Sequence, residues 1–331
     1  MALPVLTPGR RRRRRWPYVF LAVVAVAAAA LGAWHARPGA TPSAAAGPAA
    51  PTTSVPAQPP PPPAEPASAP ANVVEALLHG RPVSTHRFRP ALRARGAIVV
   101  DEATGRVLWW RYPHRRLPIA STTKIMTALL ALERLNVARP VTVGALVPRT
   151  APTREGLRIG ERVPAWKLLN GLLVFSANDS AVALALAVAG SRPGFVALMN
   201  ERARELGLRH THFSSPSGVV DRDNLSTPWD LAALARYARR NARFRAIVDT
   251  RVARVRWAPP TYAKVYVNRN RLLWTYRGAD GVKTGWTTKA QHCLVASAHR
   301  NGRRVIAVVL GSPDAFADAR RLLDLGFSRT T

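Results

Sequence analysis

Gly281-Val282-Lys283-Thr284-Gly285-Trp286-Thr287, Cys293-Leu294-Val295-Ala296-Ser297-Ala298-His299 and Val305-Ile306-Ala307-Val308-Val309-Leu310 are three short apolar runs in close succession. Such runs, bounded by polar and glycine-containing breaks, read as strands. Asn301-Gly302 joins the last two and is a strong hairpin signal, because both turn positions need positive φ. Cys293 opens an apolar run and reads as a small core residue. After the third strand, residues 314–325 carry an amphipathic pattern that predicts a closing helix.

Working back towards the N-terminus, residues 251–257 and 262–267 read as two more strands around Pro259-Pro260. From 163 to 237 the pattern is helical, with helices expected over 166–173, 179–189 and 194–206 and another opened by Pro228. Ahead of that block, residues 97–100 form a buried strand, Asp101-Glu102-Ala103-Thr104-Gly105 a turn, and 106–110 a returning strand. A helix over 120–135 comes next, with Ile125, Leu129 and Leu132 at helical spacing. A short helix is also expected at 73–78. Strands, a helical block, strands and a helix predict an α+β fold: an antiparallel sheet flanked by helices, with an inserted helical subdomain. A cleft is expected where sheet and subdomain meet.

The 331-residue chain is 47% hydrophobic, enough for a substantial core, and carries a net charge of +31. Six consecutive arginines, Arg10 to Arg15, precede an uncharged, mostly apolar stretch from Trp16 to Ala33. That stretch is long enough to span a bilayer, and the arginines on its N-terminal side predict export of the chain beyond Ala33. A cleaved signal peptide is the competing reading, with the same topology for the rest. Pro38 to Pro70 is almost wholly Pro, Ala, Ser, Thr and Gly and reads as a stiff spacer. The expected organisation is a basic cytoplasmic tail (1–15), a transmembrane anchor or signal segment (16–33), a Pro/Ala-rich linker (34–84) and a folded domain (85–331). Residues 91–331 still carry +23. This favours anionic surroundings such as a charged envelope polymer. Scattered arginines without a nucleic-acid-binding pattern argue against nucleic acid as the partner. The single cysteine excludes an intramolecular disulfide and any multi-cysteine metal site. His210-Thr211-His212 offers two imidazoles but no apparent third ligand, which weakens a zinc reading.

Lysine is rare here, at five residues against 44 arginines. Arginine keeps its proton at any accessible pH, whereas a desolvated lysine can release it and act as a base. Lys124 stands three residues after Ser121 in Ser121-Thr122-Thr123-Lys124. On a helix start the two share a face, and the N-terminus adds N–H donors and a positive field. Alone, the pattern fits an ordinary surface helix start with a solvated lysine better than a catalytic pair. Ser176-Ala177-Asn178 lies between apolar helical runs and, alone, fits the cap of the next helix. Lys283-Thr284-Gly285 reads as strand, and its glycine allows close backbone approach at an edge.

In this order the three motifs are the set of penicillin-recognising serine acyl enzymes. Gly156-Leu157-Arg158-Ile159-Gly160-Glu161, Leu168-Leu169-Asn170-Gly171-Leu172-Leu173 and Asn268-Arg269-Asn270-Arg271-Leu272-Leu273-Trp274 extend the match. The chain, over residues 97–327, closely resembles the low-molecular-mass D-alanyl-D-alanine carboxypeptidases, penicillin-binding proteins of serine peptidase family S11. The resemblance implies a serine β-lactamase/DD-peptidase-like fold and removal of the terminal D-alanine from peptidoglycan stem peptides. It implies Ser121 as nucleophile, Lys124 as its base with a pKa lowered by burial and Lys283, and Ser176 as proton relay. Asn178 would bond the substrate backbone and steady Lys124, Lys283 and Thr284 would hold the terminal carboxylate, and Gly285 and Trp286 would complete the substrate-binding set. The N–H groups of Ser121 and Trp286 would form the oxyanion hole. It implies no metal or organic cofactor, β-lactams as covalent inhibitors, and an extracytoplasmic location with the N-terminal segment meeting the membrane.

Three departures stand out. Relatives often carry a small or imidazole side chain after Lys-Thr-Gly, where this chain has Trp286. They often carry glycine near Gln291. Many add a C-terminal β-domain, for which the 46 residues after Gly285 leave no room, so anchoring is expected from the N-terminal segment. A D,D-endopeptidase and a class A-like β-lactamase are the rival enzymes. The latter needs a further carboxylate for deacylation, and no suitably placed Glu-x-x-Leu-Asn segment occurs. A non-catalytic wall-binding role is the rival from another class.

Overall fold

The computed structural model describes Leu78, His79 and residues 90–329, apart from 220–222 and 257–262. The expected tail, the 16–33 segment, nearly all of the linker and residues 73–77 of the short helix lie outside the described residues. Among the described residues no single helix is long and apolar enough to cross a membrane.

The predicted hairpin forms from β1 (Gly96–Asp101) and β2 (Val107–Arg111). β3 (Leu117–Pro118) leads into a 3-10 turn, Ala120–Thr123, which runs on as α1 (Lys124–Arg134). β4 (Pro140–Thr142) pairs with β5 (Arg162–Pro164). Then come α2 (Ala165–Asn170), a π-helical turn Gly171–Phe175, α3 (Asn178–Ala189) and α4 (Arg192–Glu205). β6 (Leu225–Ser226) pairs with β3. The chain continues through α5 (Pro228–Ala238), α6 (Ala242–Asp249), β7 (Val252–Val255), β8 (Lys264–Val267) and α7 (Leu272–Thr275). β9 (Ala279–Thr287), β10 (Gln291–Arg300), β11 (Arg303–Ser312) and α8 (Ala315–Ser328) complete it.

Strands from both ends of the chain share one antiparallel sheet in the order β2-β1-β11-β10-β9. Every residue of β1 is buried, as are the last eight of β11, because both faces of this sheet are covered. The two-residue period sorts the side chains. Val99, Val305, Ala307 and Val309 pack with Leu322 and Leu323 of α8. Ile98, Val100, Ile306, Val308 and Leu310 join the larger core built on the helical block. Asn301 and Gly302 take φ of 48° and 76°, as the predicted hairpin turn requires. Pro228 opens α5, with the Thr227 side chain accepting the Asp230 N–H as its cap. Asp314 caps α8 in the same way.

Three local expectations are corrected, and one helix went unread in the sequence. The predicted 120–135 helix starts as a 3-10 turn, so Ser121 is not α-helical. The predicted 166–173 helix widens into the π-helical turn at Gly171. β7 and β8 pair with each other, apart from the main sheet. Their pattern shows why: Val252, Val265 and Val267 face solvent while Ala253, Val255 and Tyr266 pack beside Val174. Finally, α6 escaped a hydrophobic-period reading because only Phe244 and Val248 of its eight residues are buried. Its start is nonetheless signalled by Asn241, whose side chain accepts the Arg243 and Phe244 N–H groups.

Candidate active site

Ser121 sits in the 3-10 turn just after Ala120, whose φ of 46° is rare for a residue with a Cβ. Lys124 begins α1 and is fully buried. Its Nζ lies 2.9 Å from Ser121 Oγ, 2.7 Å from Asn178 Oδ1 and 2.8 Å from the Ser217 carbonyl. The Asn178 amide is oriented by its other end, which donates to the carbonyls of Ala151 and Pro152. Asn178 Oδ1 and the Ser217 carbonyl can only accept. A neutral amine has two N–H groups and one lone pair. Those two oxygens take both N–H groups, and the lone pair is left for the Ser121 hydroxyl. Burial, then Lys283, then Arg269 hold the Lys124 amine well below the usual lysine range, with Asp179 the opposing influence.

Ser176 takes a left-handed conformation, φ 69°, at the end of the π-helical turn. Its hydroxyl accepts from Lys283 Nζ at 3.0 Å. The capping alternative for Ser176 is therefore overturned: α3 has no side-chain cap, and its first carboxylate, Asp179, accepts the Ser180 N–H instead. Lys283 is also buried, and its amine is pushed down to about 7, by burial first and Arg269 second.

Lys283, Thr284, Gly285 and Trp286 lie on β9, the edge of the main sheet. Gly285 faces the Ser121 turn as well as the cleft. A Cβ there would come within 2.9 Å of the Ile119 carbonyl oxygen and 3.0 Å of the Ser121 nitrogen. Bare backbone at this position lets edge strand and turn touch. Gly218 plays a similar part from the other side. With φ +77° its missing Cβ would fall 2.0 Å from the Ala120 carbonyl oxygen.

Ser121, Ser176, Asn178, Thr284, Gly285 and Trp286 line one cleft of about 460 Å³. Trp286 stands at its rim, 59% exposed, its ring 6.3 Å from that of His292. Gln291 has a φ of 56°, a backbone conformation that glycine takes without strain. Cys293 is buried as expected, burial pushes its thiol up to about 12, and it is one of the residues lining the cleft. Among the described residues no three His, Cys, Asp or Glu side chains group as metal ligands. His210 and His212 do not lie on a strand, and His212 Nδ1 faces the Asp223 carbonyl.

All eight sequence-predicted residues thus meet at this cleft, six on its walls and the two lysines behind them. Two participants were missed. The Ser217 carbonyl carries no side-chain signature in the run Ser214-Ser215-Pro216-Ser217-Gly218. Arg269 lines the cleft and shifts both lysines, yet in sequence it is one arginine among many.

Glu155 supports the site from behind. Its side chain is fully buried and takes hydrogen bonds from Ser180 Oγ and Tyr266 Oη. Burial pushes its carboxyl up to about 8. An acid raised on folding contributes stability that is complete below its unfolded value and is lost as pH rises through the folded one. Wild-type Tm should therefore fall further than that of Glu155→Gln between about pH 5 and about pH 9. Thermal scans of the two proteins across that range check this, and parallel curves would contradict it.

The family model described as D-alanyl-D-alanine carboxypeptidase (peptidase S11) matches residues 83–314. D-alanyl-D-alanine carboxypeptidase DacF of Bacillus subtilis (strain 168) is 35% identical over 248 residues, covering 72% of this chain and 63% of DacF. This chain thus spans a little under two thirds of DacF's length. The D-alanyl-D-alanine carboxypeptidase of Streptomyces sp. (strain K15) is 35% identical over 268 residues, covering 75% of this chain and 92% of the relative. The crystal structure of D-alanyl-D-alanine carboxypeptidase from Mycobacterium tuberculosis H37Rv superposes with a TM-score of 0.70 at 32% identity, covering 76% of this chain and 96% of that one. With its fold superposing on that structure, and its family match spanning most of the described domain, the chain belongs to the S11 family of D-alanyl-D-alanine carboxypeptidases.

Proposed function

We propose that this chain is a serine D-alanyl-D-alanine carboxypeptidase working outside the cytoplasm on peptidoglycan stem peptides. The carrying observation is the Lys124 amine, 2.9 Å from Ser121 Oγ, with acceptor-only oxygens at its two other contacts. The neutral amine takes the hydroxyl proton as Ser121 Oγ attacks the carbonyl between the two D-alanines. The resulting oxyanion is held by the N–H groups of Ser121 and Trp286. Ser176, bonded to Lys283, passes a proton to the leaving D-alanine. Asn178 and the free edge of β9 align the peptide as an added strand. Lys283 and Thr284 hold its terminal carboxylate, the group that distinguishes a chain end. Water then cleaves the acyl-enzyme. Residues 1–15, 16–33 and 34–84 would serve as cytoplasmic tail, membrane anchor or signal, and linker, with 85–331 the catalytic domain.

A synthetic peptide ending in D-Ala-D-Ala should release free D-alanine, and prior treatment with a penicillin should stop that release. No D-alanine from such peptides would refute the reading. Among the described residues lining the cleft there is no carboxylate, and the Glu155 carboxyl is turned to Ser180 and Tyr266. This favours slow loss of a penicillin adduct over rapid β-lactam hydrolysis.

Arg269 gives a pH prediction with a definite sign. Its charge favours the neutral form of both lysines. Removing it makes each amine easier to protonate. Arg269→Gln should therefore move the acid limb of penicillin acylation to higher pH and slow the reaction severalfold near pH 6.5. An unmoved limb in acylation rates measured across pH would contradict the assignment.

A further inference from the structure

We propose that Glu155 is a positioning residue of the cleft, fixing the loop 151–157 and Arg269 around the two lysines. This rests on the peptidase reading given above. Three elements converge on its carboxyl. Ser180 of α3 and Tyr266 of β8 donate to it, and Lys264 Nζ of β8 lies 3.8 Å away while donating to the Glu155 carbonyl at 2.7 Å. From the third side comes Gly171 of the π-helical turn. A Cβ there would lie 2.5 Å from Glu155 Oε1, so the glycine leaves the space the carboxyl fills.

Each connection leads to a group in the cleft. On one side, the backbone N–H groups of Glu155, Gly156 and Leu157 all donate to the Asp179 carboxylate. Asn178, next to Asp179, is held by the same loop: its N–H donates to the Thr153 carbonyl, and its side chain to the Ala151 and Pro152 carbonyls. These contacts aim Asn178 Oδ1 at Lys124. Pro152 and Thr153 themselves line the cleft. On the other side, the Tyr266 ring packs 5.8 Å from Phe175, and Arg269 stacks its guanidinium 5.3 Å above Phe175. Arg269 lies three residues after Tyr266, so anchoring Tyr266 also anchors the approach to Arg269. Phe175 immediately precedes Ser176. One carboxyl therefore ties the supports of Asn178, Ser176 and Arg269 together.

The charged and titratable groups around it are Lys264 and Tyr266 from β8, Asp179 from α3 and Glu161 ahead of β5. Two of these are carboxylates. Burial first, then Asp179 and Glu161, keep the carboxyl neutral up to about 8 against the pull of Tyr266 and Lys264. Ionising it above that adds a third negative charge behind the cleft and loosens the clamp.

The test is the second-order rate of acylation by a fluorescent penicillin, measured from acid to alkaline pH on folded proteins. Glu155→Ala should acylate about tenfold to a hundredfold more slowly, the scale of effect for a catalytic group displaced by about an ångström. Glu155→Gln keeps hydrogen-bonding atoms without the charge. It should recover most of that loss and should hold its rate above about pH 8, where the wild-type rate declines. Tyr266→Phe, which leaves the carboxyl in place, should slow acylation in the same direction as Glu155→Ala, and the two changes together should be less than additive. Glu155→Ala acylating within twofold of wild type, or superimposable pH profiles for wild type and Glu155→Gln, would overturn the proposal. Failure of the wild-type protein to acylate at any pH would instead overturn the peptidase reading.

Discussion

Ser121→Ala should lose both D-alanine release and covalent labelling by penicillins, by at least about 10⁴-fold, since removing a nucleophile eliminates the acyl-enzyme route altogether. The fold should survive. Ser121 is a small side chain, 8% exposed, at the open end of a 3-10 turn. The Thr122 hydroxyl secures that turn by donating to the Ile119 carbonyl at 2.7 Å. What the substitution removes is one of three oxygens around Lys124, and the two that remain still hold the amine. A correctly folded variant that binds no penicillin covalently separates chemistry from architecture. A Ser121→Ala protein that still forms the adduct would move the nucleophile elsewhere.

Lys124→Met is expected to have the second largest effect, a loss of about 10²–10⁴ in acylation rate, the usual range for removing a general base. Methionine approximates the length and volume of lysine, so the buried space stays filled. Two effects on stability oppose one another. Asn178 Oδ1 and the Ser217 carbonyl lose their donor, each at about 1–3 kcal/mol if no water replaces it. Against this, no amine has to be desolvated. The lysine leaves a further signature. An amine depressed on folding contributes stability that is complete above about pH 10.5 and is lost as pH falls through its folded value. Relative to wild type, Lys124→Met should therefore lose Tm as pH rises towards about 10. Acylation rates and thermal scans on the same preparation report both. Wild-type acylation by the methionine variant would remove Lys124 from the mechanism.

The sheet was legible where a strand's own residues determine its burial. β10 and β11 are apolar on both faces, and Asn301-Gly302 leaves little choice of connection. The three motifs were legible because Ser, Lys and Asn carry their chemistry in their side chains. Where a backbone atom carries the function, sequence is silent. The Ser217 carbonyl and the tight seat of Gly218 on Ala120 belong to a loop that any Ser/Pro/Gly run resembles. The 3-10 start at Ala120 was hidden for a related reason. Nothing in Ala120-Ser121-Thr122-Thr123 forbids an α-helical turn, and it is packing against β9 and Gly218 that selects the tighter one. Glu155 was hidden differently. A glutamate between Arg154 and Gly156 reads as solvated loop, and only the arrival of Tyr266 from more than a hundred positions away makes it a buried joint. Trp286 was legible as a departure from the resemblance, and its exposed ring stands at the cleft rim.

The most direct measurement is peptide mapping by mass spectrometry after the full chain has reacted with benzylpenicillin. Opening the β-lactam ring leaves its amine attached to the acyl group, so the adduct should add the whole mass of the drug. It should sit on one peptide, the one containing Ser121. An unmodified protein, or an adduct on Ser176, Cys293 or any residue outside the cleft, would contradict the account.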